Sequence, residues 1–252
     1  MIFKRLFGRP AAPVPSHAVP PGERVYAVGD IHGRADLFDA LLARIDDDNA
    51  ARDSARTRLI LLGDLVDRGP DSAGVMERAI ALTNTRDCAV LMGNHEELLV
   101  KAWEGDRRAA AVFARNGGRE ALLSYGVSEA AYDACDLSDL PDLVHRAVPA
   151  AHIAFIRAMK EHVLVGDYLF VHAGIRPGVP LAEQQASDLR WIRREFLFDE
   201  QPHGHMVVHG HTITEDVDQR SNRIGIDTGA YRSNRLTAIG LEGTERWYLQ
   251  TA

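Results

Sequence analysis

Cysteine is scarce in this 252-residue chain: Cys88 and Cys135 are the only two. A disulfide framework needs more, so both read as reduced thiols of the core type. Positive charge is also short, with 36 Asp and Glu against 29 Lys and Arg, for a formal net charge of -7. Nucleic acid and anionic membranes are held non-specifically by basic surfaces, so neither is an expected partner. No stretch approaches the roughly 20 apolar residues of a spanning helix. The first ten residues, MIFKRLFGRP, have an apolar part too short and interrupted for a signal peptide. They read as a frayed terminus, with a small basic docking segment as the alternative, and the expected compartment is the cytoplasm. The chain shows neither an internal repeat nor a long charge run. What remains, 46% hydrophobic and 26% charged residues, is ordinary globular composition. The length permits one large domain or two.

Residues 10–22, PAAPVPSHAVPPG, hold five prolines. Proline fixes its own φ and lacks a backbone donor, so residues 1–22 are expected to be a flexible segment and extended linker. A single domain is expected over 23–252. RVYAVGD (24–30), TRLILLGD (57–64) and CAVLMGN (88–94) read as strands. Helices follow each of them: one carrying Leu37, Leu41, Leu42 and Ile45, one from Ser72 to Asn84, and HEELLVKAW. Near-continuous apolar strands alternating with helices suit an α/β sheet covered on both faces. From about 104 to 160 the chain turns Ala-rich and helical, the pattern of an insertion over the strand ends. EHVLVGDYLFVHAG then reads as a hairpin turning at Gly166-Asp167, and MVVHG, RIGIDTG and RLTAIGLEG as short strands.

Each of the first three strands stops at a glycine followed by a residue able to bind metal. They are Gly29-Asp30-Ile31-His32, Gly63-Asp64 with Asp67-Arg68-Gly69 after it, and Gly93-Asn94-His95-Glu96. Two later strands end in Val171-His172-Ala173-Gly174 and Val208-His209-Gly210-His211-Thr212. Strand ends on one edge of an α/β sheet converge, and ligands bind there. Singly, an Asp after a strand is more often a cap or turn residue, and a lone His a satisfied core residue. Together, carboxylate, imidazole and amide oxygen form a donor set that suits Mn, Fe, Zn or Co. Six such ligands are too many for one catalytic ion that keeps a water; they fit two ions sharing a bridging carboxylate.

The ordered series GDIHG, GDLVDRG, GNHE, VHAG and HGHT, with the tail GIDTGAYRSNRLTAI, resembles the calcineurin-like metallophosphoesterases from about Val25 to Ile239. Within them it is similar to the phosphoprotein phosphatase branch, in particular the bacterial and bacteriophage serine/threonine phosphatases. The resemblance implies a layered α/β/β/α sandwich with the helical insertion over the active site. It implies a first metal on Asp30, His32 and Asp64, and a second on Asp64, Asn94, His172 and His211, with Asp64 bridging and manganese the expected ion. By the motif's pattern His209 neighbours the site rather than binding metal; His203 and His205 read as loop histidines.

Two such ions acidify a bridging water and clamp a phosphoryl group for in-line attack, so no protein nucleophile is needed. No Ser or Cys lies in a nucleophile-elbow context. By resemblance His95 is the general acid for the leaving group and Asp67 orients it. Arg68 offers a bidentate donor to the phosphoryl oxygens beside Asn94, and Arg193 in LRWIRREF is a second, with Arg190 and Arg194 flanking it. A helix-surface charge is the alternative for Arg193. His152 and Asn116–Glu120 are candidates to line the cleft without an assigned role. The activity implied is a phosphomonoesterase acting on phosphorylated protein or peptide. Alternatives on the same fold are a symmetrical diadenosine tetraphosphate hydrolase or a small-molecule phosphatase. The tetraphosphatases characteristically carry Ala in place of Asp67 and GNHD in place of GNHE, which favours the phosphatase branch. A metal-dead scaffold would have lost ligands, and none of the six is missing.

Overall fold

The computed structural model describes residues 17–251. The chain begins β1 (Glu23–Val28), α1 (Ala35–Ala50), β2 (Arg56–Leu61), α2 (Ser72–Thr85), β3 (Cys88–Val90) and α3 (Asn94–Trp103). These are the three strand–helix units that the apolar runs and helical spacings predict. Five short helices fill the stretch read as an insertion: α4 (Arg107–Phe113), α5 (Arg119–Ser124), α6 (Glu129–Asp133), α7 (Leu140–Ala147) and α8 (Ala150–Arg157). β4 (His162–Val165) and β5 (Tyr168–Val171) form the expected hairpin. After α9 (Ala186–Trp191) and α10 (Arg194–Leu197) come β6 (Met206–His209), β7 (Asp218–Gln219) and β8 (Arg223–Gly225). The chain closes with α11 (Ala230–Ser233), β9 (Thr237–Glu242) and β10 (Glu245–Gln250).

Two five-stranded mixed sheets result, ordered β10-β9-β1-β2-β3 and β4-β5-β6-β8-β7. The period of two on each strand then builds the layers. On β1, Val25 and Ala27 face the second sheet in a core shared with Phe170, Val208 and Ile224. Tyr26 and Val28 face the opposite way, into a core with Phe38 and Leu41 of α1 and Val75 of α2. On the second sheet Leu169, Val171 and Val207 point outward against Leu189 and Phe196 of α9 and α10. The architecture is therefore the α/β/β/α sandwich. In each sheet three adjacent strands run parallel, β1-β2-β3 and β5-β6-β8.

Two differences from the sequence reading concern packing. β10 is a strand outside the expected set; it is the edge partner of β9, with Trp247 paired to Gly240. The proline-rich stretch is docked in its described part, since Val19 is buried in the inter-sheet core and its N–H donates to Gly243 O at 2.9 Å. Extended backbone there serves packing rather than freedom. The basic N-terminal decamer lies outside the described residues. Among the described residues, no helix is long and apolar enough to cross a membrane.

Candidate metal centre and active site

Because these three strands of each sheet run parallel, the loops after β1, β2, β3, β5 and β6 leave from one edge. Asp30, His32, Asp64, Asp67, Asn94, His95, His172 and His211 meet there, none more than 6% exposed. Burying so many titratable groups is costly unless they are paired or bind metal. The backbone is also strained here. Six non-glycine residues among those described have positive φ, and five of them are His32, Asp64, Asp67, Arg68 and His211. Such conformations cost of order 1–3 kcal/mol each and gather at functional sites.

The side chains form two overlapping clusters, His32–Asp64–His95 and Asp64–His172–His211, each with its ligand atoms within 4.8 Å of one another. Asp64 belongs to both. Its Oδ2 is 3.6 Å from His32 Nε2 and its Oδ1 is 3.4 Å from His172 Nε2. The Nδ1 of His32 donates to Val66 O, and that of His172 to Leu62 O, both at 2.8 Å. This orients both rings with Nε2 toward the cluster, the outer-shell arrangement of metal-binding histidines. Asn94 Oδ1 lies 3.0 Å from His172 Nε2, and buried His211 Nε2 has no hydrogen-bond partner. Burial would raise the Asp64 pKa, but His172, His95 and His32 outweigh it and hold the carboxyl well below the usual range. Burial lowers His32 to about 3, keeping it neutral. An ionised bridging carboxylate with imidazole nitrogens on both sides is the donor set a pair of divalent cations requires.

Asp30 is buried beside these clusters. It stands outside both tight clusters, and its two oxygens accept the His211 N–H at 3.2 and 3.0 Å. Burial, then the nearby carboxylates of Asp227 and Asp64, push it well above the ordinary carboxylate range. Such crowding of acids is what a cation relieves. Asp227, in the IDTG turn after β8, is a site residue that sequence reasoning misses; only its proximity to Asp30 in the folded sheet reveals it.

His95 Nδ1 donates to Asp67 Oδ2 at 2.6 Å. Arg68 spans the two imidazoles, with Nη1 donating to His32 Nε2 and Nη2 to His95 Nε2, both at 3.0 Å. Tyr231 of α11, given no role by the sequence, lies under the Arg68 guanidinium at 4.8 Å and edge-on to His32. Glu96, in the sequence only a family discriminator, organises the whole turn. Its Oε2 accepts from Asp64 N at 2.8 Å and Gly93 N at 3.0 Å, and its Oε1 from Leu65 N at 2.7 Å. Gly93 is required by close approach rather than by bending, since a Cβ there would fall 2.5 Å from Asp64 N.

Arg193 lies at the rim, its Nη1 3.5 Å from Thr212 Oγ1. Burial first, then the charges of His172 and Arg193, lower the His211 pKa and keep that ring neutral. Arg190 is turned away to Glu161, at 3.0 Å through Nε. His209 lies outside both clusters and donates through Nδ1 to Gly210 O. His203 sits against Asn222 in the loop before β6. His152 bonds Tyr125 and Glu77, which ties the insertion to α2. The NGG stretch does reach the site: Arg68 N donates to Gly117 O at 3.1 Å.

Known proteins are similar to this chain. The family model for calcineurin-like phosphoesterases matches residues 23–233. A symmetrical bis(5'-nucleosyl)-tetraphosphatase of Acidovorax sp. (strain JS42) is 36% identical over 153 residues, 61% of this chain and 44% of that protein. The chain thus spans less than half the length of such relatives. A solved structure provisionally named a diadenosine tetraphosphatase superposes with a TM-score of 0.64 at 20% identity, covering 93% of this chain and 98% of that one. The cold-active protein tyrosine phosphatase of a psychrophilic Shewanella species gives 0.53 at 17%, covering 92% and 83%. At such identities the two structures speak for the fold alone. The family match spans the clustered strand ends, and with it the chain belongs to the calcineurin-like phosphoesterases.

Proposed function

We propose that this chain hydrolyses a phosphoric anhydride at a two-metal centre, with a dinucleoside tetraphosphate as its substrate. The observation that carries the two-metal reading is Asp64, ionised and common to both ligand clusters. Likeness to the symmetrical tetraphosphatases over 153 residues supports the substrate class, in preference to the phosphoprotein phosphatase branch. Asp67 and Glu96 argue the other way, at two positions only.

In this reading Asp30, His32 and Asp64 hold one divalent ion and Asp64, Asn94, His172 and His211 the other, with manganese the expected metal and Fe, Zn or Co suited to the same donors. When bound, the ions supply an acidified water and neutralise developing phosphoryl charge. Arg68 presents its Nη1 and Nη2 donors to the phosphoryl oxygens, and Tyr231 fixes the guanidinium plane. Arg193 adds a second cation at the rim. His95, with Nδ1 committed to Asp67, can deliver a proton only from Nε2, once Arg68 turns from that nitrogen to the phosphoryl oxygens.

That last pair favours a second reading, a phosphomonoesterase acting on phosphorylated protein. A seryl alkoxide leaves only with a proton, whereas a nucleotide leaves a tetraphosphate as a stable phosphate anion. The test compares kcat/KM of the manganese-loaded protein on diadenosine tetraphosphate, a phosphoserine peptide and a phosphotyrosine peptide. Faster turnover of the dinucleotide is expected; faster turnover of either peptide overturns the tetraphosphatase reading in favour of the second.

A further inference from the structure

We infer that the outer face of the second sheet carries a subsite for a purine base, in a cavity of about 530 Å³ beside the metal centre. The inference rests on the nucleotide substrate proposed above. The volume lies within the range of small-molecule sites. Thr212, which follows the candidate ligand His211, lines the cavity and connects it to the reacting centre.

The sheet itself makes the hollow. Met206 and Val208 of β6 face the inter-sheet core, so Val207 and His209 face outward; on β8 Ile224 faces inward, so Arg223 and Gly225 face outward. His209 and Gly225 are register partners, and Gly225 contributes no side chain to fill the space. A Cβ there would already stand 3.1 Å from His209 Cε1.

Two residues of the lining, His209 and Arg223, each hold a buried polar atom without a partner. His209 Nδ1 is committed to Gly210 O, which leaves Nε2 as the ring's open nitrogen, and this atom is buried without a partner. Arg223 Nε, a donor on a residue only 7% exposed, also has none. Buried polar groups are normally satisfied, so two orphans on one cavity wall point to a ligand that offers the complementary pair. The adenine edge does so, with its N6–H₂ donor beside a ring-nitrogen acceptor. At the mouth, Phe198 is 78% exposed, an open aromatic face of the kind on which bases stack.

Adenosine is the probe, because it lacks the phosphate that would draw it to the metals. Calorimetry on the manganese-loaded chain should detect adenosine binding, with cytidine weaker. Phe198→Ala should weaken it at least about fivefold, the low end of a base–aromatic stack. Ser221→Trp, at the exposed rim, should abolish it. Both variants should hydrolyse p-nitrophenyl phosphate at the wild-type rate and show a raised KM for diadenosine tetraphosphate. Absence of adenosine binding, or binding unchanged in both variants, overturns the subsite. If adenosine binds as described and the tetraphosphate is not hydrolysed, the subsite holds and the substrate reading fails. If the tetraphosphate is hydrolysed with unchanged KM in both variants, the subsite fails and the substrate reading holds.

Discussion

His95 Nδ1 and Asp67 Oδ2 are 2.6 Å apart, both buried, and the ring's other nitrogen looks onto Arg68. Burial lowers the imidazole pKa, but Asp64 and Asp67 more than reverse this and hold it above its ordinary value. The protonated ring is the acid form, so turnover that needs it is lost as pH rises through the His95 pKa. Asp67→Asn removes one of the raising charges, and the basic limb of kcat against pH should move to lower pH. At the optimum, kcat on phenyl phosphate should fall about 100-fold, the low end of a general-acid contribution. A variant with an unmoved limb would show that Asp67 does not tune this proton.

The convergence of the strand-end residues was legible because its signal is local. An apolar run, a glycine and a ligand-type residue recur at Asp30, Asp64, Asn94, His172 and His211, and parallel strand order does the rest. Tyr231 and Asp227 were not legible, since their roles depend on β8 lying beside β6 and on α11 folding back over His32. Glu96 was visible as a motif letter, but its acceptor role depends on two loops meeting. For Val19, proline content reported the absence of helix and strand, and said nothing of a docking surface. Asp67 and Glu96 carried the branch assignment, and two positions were too few to outweigh the similarity along the chain.

Glu96→Gln tests the frame beneath the bridging aspartate. The carboxylate accepts from Asp64 N, Gly93 N and Leu65 N, and an amide offers one oxygen and turns an NH₂ toward the remaining donors. Leaving a buried donor unmet costs about 1–3 kcal/mol, so thermal unfolding should shift by several degrees. Manganese affinity should fall with it, because Asp64 keeps positive φ only while this turn is held. An unchanged melting temperature and metal affinity together would refute the organising role.

Gly117→Ala tests whether the helical insertion positions Arg68. Gly117 has φ of +99°, and a Cβ there would fall 2.7 Å from Arg68 Cα. Strain of about 1–3 kcal/mol is expected, relieved by moving the Arg68 backbone that donates to Gly117 O. Because the displaced group is the proposed phosphate donor, KM for any phosphate ester should rise more than stability loss alone explains. A variant that melts lower with unaltered KM would confine the contact to folding.

Asp64→Asn separates bridging from simple ligation. The amide keeps the shape, and its oxygen can still accept the His95 N–H that Asp64 Oδ1 accepts at 3.1 Å. What it loses is the single charge placed 3.6 Å from His32 Nε2 and 3.4 Å from His172 Nε2. Both proposed ion positions share that charge, whereas His211 stands in only one of the two clusters. After dialysis against limiting manganese, elemental analysis should find about two ions per chain in the parent and about one in His211→Asn. Asp64→Asn should hold fewer than one. Outer-shell changes at metal sites already cost 10- to 100-fold, so activity in Asp64→Asn should drop more than about 100-fold. If Asp64→Asn retains as many ions as His211→Asn, the carboxylate serves one cation only, and the two clusters do not form a shared centre.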